Sequence, residues 1–296
     1  MDTHTLDEQV DALDAGTAYA EVEDARITLV SGADARSWLQ DLVTTDVASL
    51  EPGGARPSLF LSPTGRIRAA FHVLCLGGRD FALVQRGPAP TAIETALAPY
   101  VLSADVSLGP SKLRLIAIPG AAGSLEGFGR AFAPSILGGG VDLLVGTSDE
   151  AALDDVRARL AAIGLTRATP EAVERRRIRR GQPRFPLDID EDSSPAEAAL
   201  DVAPVTDRGK GCFLGQEAVA KIANLGHPTR VLLRIEAPMP LRFGEAVLGP
   251  DGEVGLVTSA DDRVGLARVT WQARMQSLRA SQGDPLTIRD PIGEPA

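Results

Sequence analysis

Short apolar strands alternate with helices along most of the chain, and from about residue 229 the pattern changes to short strands alone. Residues 26–30 and 67–74 have strand character, whereas residues 33–43 predict a helix with Trp38 and Leu39 on one face. Strands joined partly by hairpins and partly by helices are typical of an α+β protein rather than of a wholly parallel sheet. The frequent turns after residue 229 predict a small closed or sandwiched β unit.

Three local signals fix the ends of elements in this pattern. The run Ser-Pro-Thr-Gly-Arg at residues 62–66 lies between two apolar runs and predicts a hairpin turn. Thr169 followed by Pro170 predicts the start of a helix, because proline is favoured at the first helical position. Ser194 and Glu197 have the spacing of a capping box.

The same pattern suggests how the chain divides. We expect five segments: an acidic, loosely held leader at 1–18, an N-terminal α+β sub-domain at 19–110, a middle α+β sub-domain at 111–228, the β unit at 229–285, and a proline-containing tail at 286–296.

Composition excludes several classes of protein. The 296 residues carry 30 Lys and Arg against 40 Asp and Glu, a net charge of −10, which disfavours bulk binding to nucleic acid or anionic lipid and leaves room only for a local tRNA contact. Two cysteines cannot build a disulfide framework or a four-thiolate cluster, and no pair of histidines has metal-ligand spacing, so no metal site is expected. The acidic start and the lack of a long apolar run predict a cytoplasmic protein without a membrane segment.

The densest candidate for chemistry is the run Lys-Gly-Cys-Phe-Leu-Gly-Gln-Glu at residues 210–217. Gly211 and Gly215 permit unusual backbone angles around Cys212, and the helix expected just after them presents free N–H groups. The neighbouring Lys210 would favour the ionised thiol. Cys212 is therefore a candidate reactive or ligand-contacting centre, although a free cysteine is usually a small buried hydrophobe. Cys75, which ends an apolar strand, fits that inert role.

These eight residues resemble the signature of the YgfZ family, folate-binding proteins of iron–sulfur enzyme maturation and tRNA modification, which is related to the aminomethyltransferase (T-protein) of the glycine cleavage system. The resemblance covers about residues 20–270. Further segments that agree with the family in the same order are 30–35, 38–40, 44–47, 65–67, 177–183 and 191–197. The resemblance implies three sub-domains around a central folate-sized opening, tetrahydrofolate as cofactor, and iron–sulfur enzymes or their assembly proteins as partners.

The resemblance also implies roles for individual residues. Cys212 and Lys210 would be the reactive pair, with Gly211, Gly215, Gln216 and Glu217 supporting the loop. Residues expected to contact the cofactor are Thr44, Asp46, Arg66 and Arg180. For Asp46 a hydrogen-bonding role in its own loop is the alternative.

Two departures separate this chain from the T-protein. Where the T-protein has an Asp pair after its Gly-Gly-Ile turn, this chain has Ala69 and Ala70, so no carboxylate there can move a proton. Arg179 stands where relatives have Glu, and a guanidinium cannot accept a hydrogen bond from a pterin. We therefore expect a folate-dependent accessory protein. The alternatives are an aminomethyltransferase-like one-carbon transferase and a non-catalytic scaffold that has lost folate; whether the chain is an enzyme stays open.

The only dense basic run contains five arginines within residues 175–180. At helical spacing Arg176 and Arg180 share one face, and Arg175 and Arg179 share another. One interpretation is a solvated face balanced by nearby glutamates. The other is an anion contact, to a folate glutamate tail or to an RNA phosphate.

Overall fold

The computed structural model describes residues 5–120, 125, 128–146 and 150–291. Its helices are α1 (Leu6–Ala15), α2 (Ala35–Leu42), α3 (Ile93–Leu97), α4 (Glu150–Ala162), α5 (Pro170–Arg179) and α6 (Gln216–Leu225). Its strands are β1 (Ala18–Glu21), β2 (Ala25–Ser31), β3 (Ala55–Leu61), β4 (Ile67–Gly77), β5 (Asp80–Arg86), β6 (Ser107–Ser111), β7 (Arg114–Ile118), β8 (Arg130–Phe132), β9 (Val141–Val145), β10 (Thr166–Arg167), β11 (Arg230–Glu236), β12 (Ala246–Gly249), β13 (Gly252–Asp261), β14 (Val264–Thr270), β15 (Leu278–Ala280) and β16 (Pro285–Pro291).

The first sheet has the order β3-β4-β5-β2-β6, and the turn at residues 62–66 joins β3 to β4 as an antiparallel hairpin, as predicted. Alternate residues of β4 point to opposite faces of the sheet. Phe71, Val73 and Cys75 belong to the core that α2 and α3 cover. Ala70 and His72 lie on the opposite face, which is therefore free to take part in a site.

The second sheet, of order β10-β1-β7-β9-β8, uses a strand from near the start of the chain. β1 pairs with β7 and β10, so it belongs to this sheet and not to the N-terminal sub-domain in which residues 19–110 were predicted to lie together. The internal boundary near residue 110 and that near residue 228 stay predictions.

The last unit is a closed barrel of order β11-β14-β13-β12-β15-β16, so the predicted α+β class and C-terminal β-barrel are confirmed. The expected tail is wrong over residues 286–291, because β16 pairs with both β11 and β15 and closes the barrel. Without it the edges of those two strands would be unpaired. The tail residues 292–296 lie outside the described part of the chain.

The leader prediction is wrong over residues 6–15, where the chain forms helix α1. A capping box between Thr5 and Glu8 opens the helix, Gly16 in the left-handed region ends it, and Val10 and Leu13 are buried beneath it. Two of its acidic residues, Asp7 and Asp14, pair with the arginines of α5 instead of being simply solvated. Among the described residues, no helix has both the length and the apolar character needed to cross a membrane.

Candidate functional site

A cavity of about 370 Å³ opens between the first sheet, the loop at 134–139, helix α5 and the segments that follow it. Its floor comes from β3, β4 and β5, and the opposite wall comes from α5 and residues 182–189. The apolar part of the lining includes Leu59, Val84, Phe185, Ile189 and Leu200. A mainly apolar hollow with a few polar groups is the usual character of a small-molecule site.

His72 on β4 is one of the polar residues that line the cavity floor. It is paired across the sheet with Pro57 on β3 and Val84 on β5, so both of its lateral neighbours are apolar. No described residue makes a hydrogen bond with its ring, and burial followed by the charge of Arg86 lowers the pKa of His72 to about 4. The imidazole is therefore neutral near pH 7 and has its donor and its acceptor open to the cavity.

Arg177 lines the opposite wall, but its hydrogen-bonding capacity is used by the protein. All five of its N–H groups have partners, on Glu174, the Gln182 carbonyl, Asp188 and Ser259. Asp188 is fully buried and also accepts hydrogen bonds from the hydroxyls of Thr258 and Ser259, each at 2.7 Å. This network fastens the cavity wall to barrel strand β13.

The third wall is held by a buried carboxyl group. Asp142 on β9 accepts a hydrogen bond from Ser135 Oγ at 2.6 Å and another from the Ile136 N–H at 2.8 Å. Burial raises the pKa of Asp142 to about 7, and these hydrogen bonds oppose the shift. The carboxyl group thus fixes the loop at residues 134–139 but does not itself line the cavity.

The signature loop lies outside the cavity lining. Cys212 is exposed, so its thiol is reachable, but none of residues 210–217 lines the cavity. The segment just before the loop is the part that reaches the cavity: Thr44 Oγ1 donates to the carbonyl of Val205, a lining residue, and the Asp207 N–H donates to the Thr44 carbonyl. The Cys212 thiol is therefore accessible but does not line the cavity, and its role as a reactive or ligand-contacting centre stays a prediction.

Gly65 and Gly215 bring the hairpin turn into contact with the start of α6. Gly215 has φ +83°, and a Cβ built there would lie 2.5 Å from the Ser62 carbonyl oxygen. A Cβ on Gly65, at φ +73°, would lie 2.6 Å from the Cβ of Ala218. Glycine is therefore required at both positions, by conformation and by space. Gly211 is also left-handed, at φ +103°, but is open to solvent.

Lys210 points away from solvent toward α2. Its Nζ donates to the Gln40 carbonyl, and it lies 5.5 Å from the centre of the Phe213 ring. Burial lowers the pKa of Lys210 to about 8, although the carboxylates of Asp46, Asp41 and Asp207 oppose this. Its role toward Cys212 stays a prediction.

The other two motif residues have local positions. Gln216 Oε1 accepts from the Phe213 N–H at 3.2 Å, which closes the loop before α6. Glu217 is exposed in the first turn of α6, where a carboxylate interacts favourably with the helix dipole.

None of the four residues expected to contact a cofactor lines the cavity. Thr44 is buried and uses its hydroxyl on Val205; Asp46 is bonded to Gln40 and Arg56 and serves its own loop. Hydrogen bonding within that loop holds the pKa of Asp46 below its usual value, although burial opposes this. Arg66 Nη1 donates to the Asp192 carbonyl at 2.7 Å.

The arginine run of α5 is an internal ion-pair surface. Arg176 and Arg180 share Asp14 of α1, and Arg175 and Arg179 share Asp7 of α1 and Asp261 of β13. The predicted sharing of faces is thus observed, but the balancing acids lie on other elements and not only on α5. Arg179 and Arg180 are absent from the cavity lining, so Arg179 does not face a ligand there. Arg176 and Arg177 do line the cavity, but each is already paired with a carboxylate, so neither offers an unpaired charge to an anion.

His72 and Arg86 are two polar lining residues for which the sequence predicted no role. Arg86 binds both oxygens of Asp24 through Nε and Nη2, and no described residue accepts from its Nη1. The strand alternation through Ala70 and His72 was the available signal, since it places both on one face. The alternation alone does not predict that this face of the sheet borders a cavity.

Comparison with known proteins agrees with this architecture. No protein-family model matches the sequence, and no match is found among the curated proteins. Among solved structures, the chain is similar to the crystal structure of the glycine cleavage system aminomethyltransferase T from Bartonella henselae, with a TM-score of 0.80. The alignment has 19% sequence identity and covers 96% of this chain and 88% of that one. The chain therefore has an aminomethyltransferase-like fold.

Proposed function

We propose that this protein binds a reduced folate in its central cavity and acts as an accessory protein in the maturation of iron–sulfur enzymes, as the YgfZ family does. The observation that carries the folate assignment is the cavity of about 370 Å³ in an aminomethyltransferase-like fold. Its apolar walls suit a flat aromatic ring, and the unpartnered imidazole of His72 gives that ring a polar contact.

Ala70 supports an accessory role over aminomethyl transfer. It lines the cavity two residues before His72, at the segment where the resemblance puts a T-protein aspartate. A methyl group there cannot hold or move a proton. The nearest buried carboxyl group on the loop wall, Asp142, is covered by Ser135 and Ile136. Turnover of glycine by this protein with purified glycine-cleavage partners would restore the transferase function.

The signature loop supports the second half of the proposal. Cys212 is exposed at the surface while the residues around it are fixed by Gly215, Gln216 and the Lys210–Gln40 contact. A reachable thiol on a held loop is suited to contact with a partner protein. The scaffold alternative has less support than the sequence suggested, because Arg179 does not face the cavity.

Folate binding is tested by calorimetric titration of the protein with 5-formyltetrahydrofolate. We expect saturable binding at one site, and at least a tenfold loss of affinity in Ala70→Trp, because the indole would fill the cavity floor beside His72. Leu102→Trp is the matched control, since Leu102 is 89% exposed and is not a lining residue. No binding to the wild-type protein at millimolar ligand would refute the folate assignment.

Cys212→Ser separates the thiol from the cavity. In a cell that lacks the wild-type copy, we expect iron–sulfur enzyme activity to fall toward the level of the deletion strain, while 5-formyltetrahydrofolate binds the purified variant as it binds the wild type, because Cys212 is outside the lining. Cys75→Ala, which removes the buried thiol, is the control for general loss of thiols. Full enzyme activity in the Cys212→Ser strain would remove the thiol from the function.

A further inference from the structure

The floor of the cavity carries two polar groups that face the space and have unused hydrogen-bonding capacity. No described residue bonds to the ring of His72, and none accepts from Nη1 of Arg86. Every fully buried side-chain nitrogen and oxygen of the described residues has a hydrogen-bond partner, so the unpartnered atoms of His72 and Arg86 are accessible and not sealed in the core. A ligand in the cavity can therefore complete their hydrogen bonding.

The two groups are neighbours on one face of the sheet. His72 on β4 pairs with Val84 on β5, and Arg86 lies two residues beyond Val84, so it points to the same side as the diagonal neighbour of His72. The charge of Arg86 contributes to the low pKa of His72, which agrees with this proximity. One ligand edge can therefore meet both side chains.

The charges around the cavity are already neutralised. Each lining guanidinium has a carboxylate partner: Arg86 and Arg184 bind Asp24, Arg176 binds Asp14, and Arg177 binds Glu174 and Asp188. Because His72 is neutral as well, the described lining has no unpaired positive charge that would attract a ligand carboxylate. The site instead offers N–H donors beside a neutral imidazole, which suits a neutral edge with an acceptor next to a donor.

We infer that His72 and Arg86 together recognise the lactam edge of a heterocyclic ligand, with Arg86 Nη1 donating to the lactam oxygen and His72 accepting from the lactam N–H. This rests on the proposed folate function, because the pteridine ring of a folate carries such an edge. It assigns the ring, and not the glutamate tail, to the floor of the sheet. Pro57 and Val84 then flank the edge as apolar neighbours.

The experiment compares folic acid with its 4-amino analogue aminopterin, in which the lactam oxygen and N–H are lost and the rest of the molecule is the same. By calorimetry we expect the wild-type protein to bind folic acid at least tenfold more tightly. His72→Leu is expected to lose at least tenfold in affinity for folic acid and most of the discrimination. His72→Gln, which keeps a donor and an acceptor, should retain part of both.

His227→Leu is the matched control, because His227 stacks on Trp271 and does not line the cavity. We expect this variant to bind both ligands as the wild type does. Equal binding of the two ligands by the wild type, or unchanged folic acid binding in a folded His72→Leu, would overturn this inference and leave the folate function standing. The inference would also be overturned if the wild-type protein failed to bind pteroic acid, which lacks the glutamate, and bound aminopterin as tightly as folic acid. Binding of neither ligand by the wild type would refute the folate function and the inference with it.

Discussion

Replacing Arg177 by methionine is expected to lower the free energy of unfolding by about 3–5 kcal/mol, the usual cost of breaking a buried ion pair from one side. Arg177 is almost fully buried and its five N–H groups are all engaged. Its removal leaves the fully buried carboxylate of Asp188 without its charged partner. Methionine fills much of the space that the arginine side chain occupied. The decrease in the free energy of unfolding therefore measures mainly the lost charge and hydrogen bonds and not a new cavity.

Urea-induced unfolding, followed by circular dichroism, measures this effect. Arg180→Met, at the C-cap of the same helix, is the matched control, because Arg180 is exposed and its pair with Asp14 should be worth less than about 1 kcal/mol. The double variant Arg177→Met with Asp188→Asn should recover part of the loss, since the unpaired charge is then gone. Equal stability of Arg177→Met and Arg180→Met would show that the network does not hold the wall.

Gly215→Ala is expected to cost about 2–5 kcal/mol, the sum of the left-handed backbone penalty and of overpacking. The new methyl group would lie 2.5 Å from the Ser62 carbonyl oxygen and 3.1 Å from the Cβ of Leu61, and backbone and core atoms there cannot move aside freely. The hairpin turn and the start of α6 would have to separate. The loop that carries Cys212 would then lose its support.

Gly211→Ala is the control that isolates the backbone penalty. Gly211 has φ +103° and no atom within 4 Å of a built Cβ, so its replacement should cost only about 1–2 kcal/mol. Thermal unfolding ranks the two variants, and the rate of Cys212 labelling by a thiol reagent reports the loop itself. Equal stability of the two alanine variants would contradict the close contact between the turn and α6.

The parts of the fold that the sequence predicted are those with local causes. The turn at residues 62–66, the cap at Thr169 and the turn-rich β unit each depend on residues within a few positions of one another. Helix α1 was missed for the opposite reason: Asp7 and Asp14 have their partners on α5, more than 150 residues away, so the local sequence alone suggested a solvated leader.

The site divides in the same way. The motif around Cys212 is contiguous and could be recognised from its residues, and Gly215 has the conformational role expected of it. The cavity, however, is made from strands, a loop and a helix that lie far apart in the chain. Their meeting depends on the packing of the two sheets, which no local pattern encodes, so His72 and Arg86 could be found only in the folded chain.

The hydrogen bonds of Asp188 connect the C-terminal barrel to the segment that lines the cavity. Barrel residues contribute no side chain to the described cavity lining, yet Thr258, Ser259 and Asp261 hold the helix and the segment that form one wall. A truncated chain that stopped after α6 would keep every lining residue but leave this buried acid short of its hydroxyl partners. The barrel thus supports the cavity wall from outside. A ligand that stabilises this wall should therefore also slow amide hydrogen exchange in barrel strand β13.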